Sequence, residues 1–335
     1  MASGSVHPRV TVVVPTLAAD DKLTRCLDTL EGQTLQDFEV IVVDNSGRGA
    51  VEARGRMRVI SNDRNVGFGA AANQGIRASS APLIAVLNDD AAPHPRWLEA
   101  LLDAIDQRPN VGMCASQIIL AGDGRLDSAG MLLCPDGSSK QRGHLECPGS
   151  FARVEEALLP SGCAALYRRE MLDEIGLFDE SFFLYCEDTD LGLRARWAAW
   201  DCLYVPDAQV EHQYSHTSGK ASGLKAYYVE RNRLFLAVKD LPLPTLLLAP
   251  LYSLARYFWH FVYAVRGRGK AAEFSRDGNS STQLALYVFR AYFALFTHLP
   301  TLIGQRRSVK RRLNSKQFRR LIRKFSMGPR QVAAL

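Results

Sequence analysis

Four short apolar runs recur within the first ninety positions, and their spacing constrains the fold more than any other feature of the chain. Val10-Thr-Val-Val-Val14 closes on Pro15, and Phe38-Glu-Val-Ile-Val-Val43 closes on Asp44-Asn45-Ser46-Gly47. Met57-Arg-Val-Ile60 is shorter, and Leu83 to Leu87 is wholly apolar. Runs without a polar alternation suit strands covered on both faces. Leu23, Leu27 and Leu30 predict a helix over 21–33, and the glycine and alanine segment Asn65 to Gly75 opens another before the fourth run. Strand, helix, strand, strand, helix, strand is the order of an α/β fold whose mixed, mostly parallel sheet is flanked by helices.

The fourth run ends in Asn88-Asp89-Asp90, with Pro93 and Pro95 beyond. A buried strand would deliver these carboxylates to the sheet's carboxyl edge, where open α/β sheets bind ligands. Adjacent carboxylates repel unless a cation lies between them, and a hard divalent ion takes oxygen ligands while leaving positions for substrate phosphates. A helix cap is the alternative, since Asp ahead of proline often starts a turn.

Charge is distributed unevenly. No Asp or Glu occurs from Gly278 onward, while that segment carries twelve Lys and Arg residues; subtracting its +12 from the chain's +6 leaves −6 for residues 1–277. An acidic body with a basic tail points the tail toward an anionic surface. The seven cysteines, Cys26, Cys114, Cys134, Cys147, Cys163, Cys186 and Cys202, are odd in number and contain no Cys-x-x-Cys, which argues for a reducing compartment over a disulfide framework or structural zinc site. The polar start, Met1 to Arg9, shows no signal peptide.

Farther along, 122–149 is rich in Gly, Asp, Ser and Pro and is expected to form loops and short strands shaping a substrate pocket. Leu158 to Tyr167 reads as a buried strand after a tight turn. Phe182 to Asp190 repeats the acidic theme, an apolar strand end delivering Glu187, Asp188 and Asp190 to a helix over 191–200. Leu203 to Val205 is read as the last strand, with His212 and His216 in the loop beyond. Leu243 to Val265 and Leu284 to Ile303 are long and apolar but interrupted by Pro, Arg and His, as suits helices lying in a membrane interface. Arg306 to Phe325 places Val309, Leu313, Leu321 and Phe325 among basic residues, the pattern of a basic amphipathic surface helix.

An ordered set of motifs over 10–239 resembles family 2 glycosyltransferases, inverting enzymes of the GT-A fold, and within them the rhamnosyltransferase-like branch. The set comprises Val13-Val14-Pro15-Thr16, Val42-Val43-Asp44-Asn45-Ser46, Asn65-Val66-Gly67-Phe68-Gly69 with Asn73, and Leu87-Asn88-Asp89-Asp90. Gly176-Leu177-Phe178-Asp179-Glu180, Phe183 to Leu191 and Tyr228-Val229-Glu230-Arg231-Asn232 complete it.

The resemblance implies a catalytic domain over 1–239 and a helical membrane-associating appendage over 240–335. It places a Mg²⁺ or Mn²⁺ ion on Asp90, with Asp89 near it or the donor ribose. His212 resembles the histidine that completes this site in some relatives, although His216 competes and an ordinary loop histidine is the plain alternative. The general base falls in Glu187-Asp188, with Asp188 favoured; capping by Asp188 or Asp190 is the structural alternative. Asp44, with the backbone of Pro15, Thr16 and Leu17, matches the nucleotide-reading position, though turn chemistry would also account for it. Asn65, Gly67, Asn73, Asn88, Ser161 and Gly162 complete the expected nucleotide-sugar-binding set. The implied partners are a nucleotide diphosphate sugar, a lipid-linked or glycan acceptor and an anionic membrane, with the chain peripheral or monotopic on the cytoplasmic face. No nucleic-acid partner is expected.

Three competing readings use the same residues. Gly67-Phe-Gly-Ala-Ala-Ala72 imitates a dinucleotide fingerprint but follows the third strand, where the fingerprint belongs after the first. A nucleotidyltransferase would want a basic, glycine-rich loop after the first strand, and Thr16-Leu-Ala-Ala-Asp-Asp21 is neither. A nucleic-acid-binding tail would account for the arginines, yet the aromatic cluster Tyr257 to Tyr263 suits an interfacial anchor better.

Overall fold

The computed structural model describes residues 8–213, 223–269, 274 and 281–334. The chain divides into two compact units. One comprises Met1–Gly130, Gln141–Phe183 and Trp200–Tyr214, and the other Met131–Lys140, Leu184–Ala199 and Ser215–Leu335.

The first unit is built on a mixed sheet. Its elements begin β1 (Val10–Thr16), α1 (Asp21–Glu31), β2 (Phe38–Asp44), β3 (Met57–Ser61), α2 (Phe68–Ala78), β4 (Leu83–Leu87), β5 (Ala91–Pro93), α3 (Trp97–Asp106), β6 (Val111–Leu120) and β7 (Leu126–Ser128). After the hairpin strands β8 (Met131–Leu133) and β9 (Ser139–Gln141) come β10 (Glu155–Glu156), β11 (Ala164–Arg168), α4 (Arg169–Ile175) and, past α5 (Glu187–Trp197), the long β12 (Asp201–His212). The strand order is β10-β12-β6-β11-β4-β1-β2-β3. β1 runs parallel to β2 and β4, β2 to β3, and β6 to β12; β11 is antiparallel to both β4 and β6. All these strands except β11 and β10, which is antiparallel to β12, therefore point the same way, so Thr16, Asp44, Leu87 and His212 end at one edge.

The uninterrupted apolar runs are used on both faces, as their composition demands. Val10, Val12 and Val14 pack into one core with Leu23, Leu27 and Leu30 of α1 and Trp97, Leu101 and Ile105 of α3. Val13 faces α2, where Gly75 comes so close that a Cβ there would lie 2.4 Å from the valine methyl. Glycine at that position sets how tightly the helix lies on the sheet.

The second unit is helical. α5 is joined by α6 (Gly223–Asp240), α7 (Leu243–Val265), α8 (Ser281–Ser308), α9 (Ser315–Lys324) and α10 (Pro329–Ala334), together with most of the β8–β9 hairpin. α6 packs on α8, and α7 on α10. A buried ion network ties hairpin to helices. Arg256 donates to Asp136 at 2.7 Å and to Glu230 at 2.8 Å, while Arg233 pairs with Glu230 and donates to the Asp136 carbonyl and to Ser253. One described helix, over Thr282–Ser308, is long and apolar enough to cross a membrane. α7 and α8 leave Leu247, Phe261, Phe289 and Phe296 between 67% and 76% exposed.

Several expectations are corrected. The strand expected over 158–167 is confined to Ala164–Arg168. The last strand extends to His212, so that histidine is a strand terminus rather than a loop residue; His216 lies outside the described residues. No strand precedes the second acidic cluster: 180–182 is a 3₁₀ turn, and α5 begins at Glu187, not at Leu191. The basic stretch 306–325 is two helices rather than one, because Asn314 caps a fresh start through bonds from the Lys316 and Gln317 amides. Its apolar side faces the protein: Phe318 and Ile322 are buried, and the Phe318 ring stacks on Trp197 at 3.7 Å.

Candidate active site

The carboxyl edge of the first unit's sheet gathers most of the expected site. β4 gives way to a turn in which the Asn88 amide donates to the Cys163 carbonyl and the Ala91 amide returns to the Asn88 carbonyl. That turn carries Asp89 and Asp90. The Thr16 hydroxyl at the end of β1 donates to Asp89 Oδ2 at 2.6 Å. Burial pushes the Asp89 carboxyl up to about 6, the Thr16 bond opposing the shift and the Asp90 charge adding to it.

Register explains why a histidine arrives beside Asp90. β12 pairs antiparallel with β5 so that His212 lies opposite Ala91, and the Gln213 amide donates to the Asp90 carbonyl at 3.0 Å. The His212 Nε2 then sits 3.2 Å from Asp90 Oδ1, and its Nδ1 sits 2.8 Å from Asp127 Oδ2. Burial works against protonation of His212, but Cys163 and hydrogen bonds to Asp127 and Asp90 hold its pKa well above the ordinary imidazole range. Asp127 is 2% exposed. Burial opposes its charge too, yet His144 and His212 bring its carboxyl down to about 2.

The donor set fits a divalent cation. Carboxylate oxygens and an imidazole nitrogen together suit Mn²⁺ or Mg²⁺, Mn²⁺ accepting the nitrogen more readily. A carboxylate oxygen and a ring nitrogen 3.2 Å apart are close enough to bind one ion side by side. Among the described residues no group of three or more His, Cys, Asp or Glu side chains is placed to hold a metal ion by itself. A cation here would therefore keep coordination positions for diphosphate oxygens.

Other expected residues build the surrounding framework. Asp44 accepts from the Ser46 amide at 2.9 Å through Oδ1 and from the Val51 amide at 3.1 Å through Oδ2, closing the loop after β2. Burial raises its pKa, but these bonds outweigh it and hold the carboxyl low. Asn65 accepts from Asn45 Nδ2 and from the Gly67 amide, both at 2.9 Å. Gly67 has φ +92°, and a Cβ there would lie 2.4 Å from the Phe183 carbonyl, which the Phe68 amide bonds at 2.8 Å. The glycine is thus required by a chain crossing. Asn73 is buried in α2 and donates to the Phe178 carbonyl and Glu180 Oε1. Pro15 is buried at the end of β1, Leu17 is 37% exposed, and Ser161 and Gly162 precede β11, with Ser161 Oγ accepting from the Cys163 amide.

Glu187 and Asp188 belong to the second unit. They lie in the first turn of α5, where the helix dipole favours negative charge. The approach is conformationally demanding: Tyr185 and Cys186 both have φ +69°, a region costly for residues with a Cβ. Asn232 of α6 secures it by donating to the Leu184 and Tyr185 carbonyls at 2.8 and 2.7 Å. Glu187 is 6% exposed, and its Oε2 is buried without a hydrogen-bond partner among the described residues. Burial, with the Asp188 charge adding, raises its carboxyl to about 8, so Glu187 is protonated at neutral pH. Asp188 is half-buried and accepts from the Thr189 amide at 2.6 Å. Asp190 does not cap: it is fully buried, accepting from Arg194 at 2.8 Å and pairing with Lys239 at 2.6 Å.

Two residues have roles that sequence reasoning missed. Asn232 closes the Tyr228-to-Asn232 motif, whose spacing assigns it no role. Asp127 stood in a stretch read only as pocket-shaping, and no local pattern distinguishes it, because its partner is 85 positions away.

The family model Glycosyl transferase family 2 matches residues 11–176. The chain is 30% identical over 261 residues to N-acetylglucosaminyl-diphospho-decaprenol L-rhamnosyltransferase of Mycobacterium tuberculosis, covering 68% of this chain and 83% of that protein. It is also 30% identical over 235 residues to the uncharacterised protein y4gI of Sinorhizobium fredii, covering 63% of this chain but only 25% of that longer protein. Among solved structures, GalNAc-T7 with UDP, GalNAc and Mn²⁺ superposes with a TM-score of 0.53 at 14% identity, over 71% of this chain and 53% of that one. The last likeness is one of fold.

Proposed function

The chain belongs to glycosyltransferase family 2, and we propose that it moves a hexose, rhamnose first among candidates, from a nucleotide diphosphate sugar onto a lipid-linked or cell-envelope glycan. In this reading the transfer inverts the anomeric carbon and depends on Mg²⁺ or Mn²⁺. The observation carrying the proposal is the meeting of Asp90 and His212 at the carboxyl edge, beside Asp89. Rhamnose and a lipid diphosphate acceptor are favoured by the activity for which the Mycobacterium tuberculosis relative is named. Family membership sets aside the nucleotidyl-transfer and hydride-transfer readings.

Asp90 and His212 hold the cation in this proposal, with Asp89 behind them, its carboxyl fixed by Thr16. The bound ion supplies positive charge against the negative charge that develops on the leaving diphosphate. Asp44 and the backbone of Pro15, Thr16 and Leu17 take the base. Asp188 accepts the proton of the acceptor hydroxyl as it attacks. Its neighbour Glu187 is uncharged at neutral pH.

Residues 1–239 form the catalytic part in this proposal, and 240–335 hold it at the cytoplasmic face of a membrane. The exposed apolar side chains of α7 and α8 and the exposed basic residues Lys316, Arg320, Arg323 and Lys324 of α9 support that placement.

A screen of nucleotide sugars for donor hydrolysis, with Mg²⁺ or Mn²⁺ against chelator, tests the reading. One sugar nucleotide should be consumed in a metal-dependent way. Asp90→Ala should lower metal-stimulated transfer by about 10²-fold or more. Full activity in chelator would sink the metal role.

A further inference from the structure

We propose that Asp127 is the positioning residue of the cation site, fixing the ring and tautomer of His212 so that Nε2 faces Asp90. The inference rests on the metal reading above and extends it to a residue that does not itself touch the cation.

Backbone geometry places Asp127 for this task. β7 pairs with β6 through Ile118 opposite Ser128 and Ile119 opposite Leu126, so Asp127 is the extra residue of a β-bulge. Bulges re-aim a side chain that a regular ladder would commit to one face. The aimed carboxylate is buried, and its Oδ2 lies 2.8 Å from His212 Nδ1. Its Oδ1 lies 3.3 Å from His144 Nδ1, and the same ring nitrogen is 3.1 Å from the Asp127 carbonyl. His144 thus steadies the carboxylate from the side opposite His212.

An ionised carboxylate only accepts hydrogen bonds, so the contact requires a proton on His212 Nδ1. With Nδ1 protonated, Nε2 is the nitrogen that gives a lone pair to a cation once the cation displaces its proton, and it is the one lying 3.2 Å from Asp90. The negative charge behind the ring also makes Nε2 a stronger ligand. A carboxylate serving only as counter-charge would hold the ring protonated against the metal, so its loss would not weaken metal binding, and that difference is measurable.

The test titrates the full chain in detergent with Mn²⁺ alone, following free Mn²⁺ by its EPR signal and imidazole nitrogen coupling to bound Mn²⁺ by pulsed EPR. The wild type should bind with a nitrogen coupling, and His212→Ala should bind more weakly without it. Asp127→Asn should bind about 10- to 100-fold more weakly, with the nitrogen coupling reduced, at a temperature where the metal-free variant is still folded. Asp127→Glu should recover part of the affinity, and carries the test by itself, through an intermediate loss, if Asp127→Asn does not fold. Wild-type affinity and coupling in the folded Asp127 variant overturn the inference while leaving the metal site standing. A wild type without nitrogen coupling, or a His212→Ala variant with full affinity, overturns the metal reading and this inference with it.

Discussion

Two of the buried charge clusters among the described residues set the same acidic residue types against different bases. In the sheet unit, Asp90 and Asp127 meet the two nitrogens of His212. In the helical unit, Asp136 and Glu230 meet Arg233 and Arg256. A guanidinium keeps its protons and cannot ligate a metal, so a carboxylate matched to one is committed to the framework. An imidazole gives up a proton readily and exposes a lone pair, so a carboxylate matched to one remains available to a cation. The same acidic side chain is thus framework or chemistry according to the base it faces.

Glu187 and Asp188 test this division, since they share a unit with the guanidinium network but are assigned to chemistry. Asp188→Asn should lower kcat for transfer by about 10²- to 10⁴-fold, the usual worth of a general base. Donor affinity should stay near wild type, because the isosteric amide still accepts the Thr189 amide. Near-normal turnover would move Asp188 to the framework side.

Glu230→Gln probes the opposite cluster and should act on stability. Removing one member of a buried ion pair costs about 3–5 kcal/mol, read as a lowered denaturation midpoint, while turnover per folded molecule is retained. A stable variant that turns over slowly would break the comparison.

The last comparison is one of pH slope. Glu187 has a folded pKa of about 8 against an ordinary 4.5, so its contribution is fully present below 4.5 and lost as pH rises through 8. Glu230 is held at about 2, burial being outweighed by Arg256 and Arg233, so its contribution is present above 4.5 and lost as pH falls through 2. Melting temperatures from pH 5 to 8.5 should therefore fall less steeply for Glu187→Gln than for wild type. Parallel curves would mean that Glu187 titrates as an ordinary surface carboxylate.

Much of the sheet was legible because its signals are local. Val10–Thr16, Phe38–Asp44, Met57–Ser61 and Leu83–Leu87 fall where the apolar runs placed them. The second acidic cluster was misjudged for a physical reason. Phe182 to Cys186 is apolar and short like a strand, but positive φ values at Phe183, Tyr185 and Cys186 curl it into a loop. Tertiary bonds from Phe68 and Asn232 hold that conformation, and nothing within the segment announces them. The basic tail was misjudged similarly. Its apolar spacing is that of a surface-binding helix, while its actual contact is Trp197.

Burial periodicity and turn chemistry act over a few residues, so the sequence by itself determined the first four strands, the acidic turn after β4 and the family motifs. Which carboxylate meets which base was decided only by tertiary structure. Asp90, Asp127 and His212 are brought together by the pairing of β12 with β5 and by the bulge between β6 and β7. Those contacts join residues 85 to 122 positions apart, and it is strand register, a property of the whole sheet, that selects them.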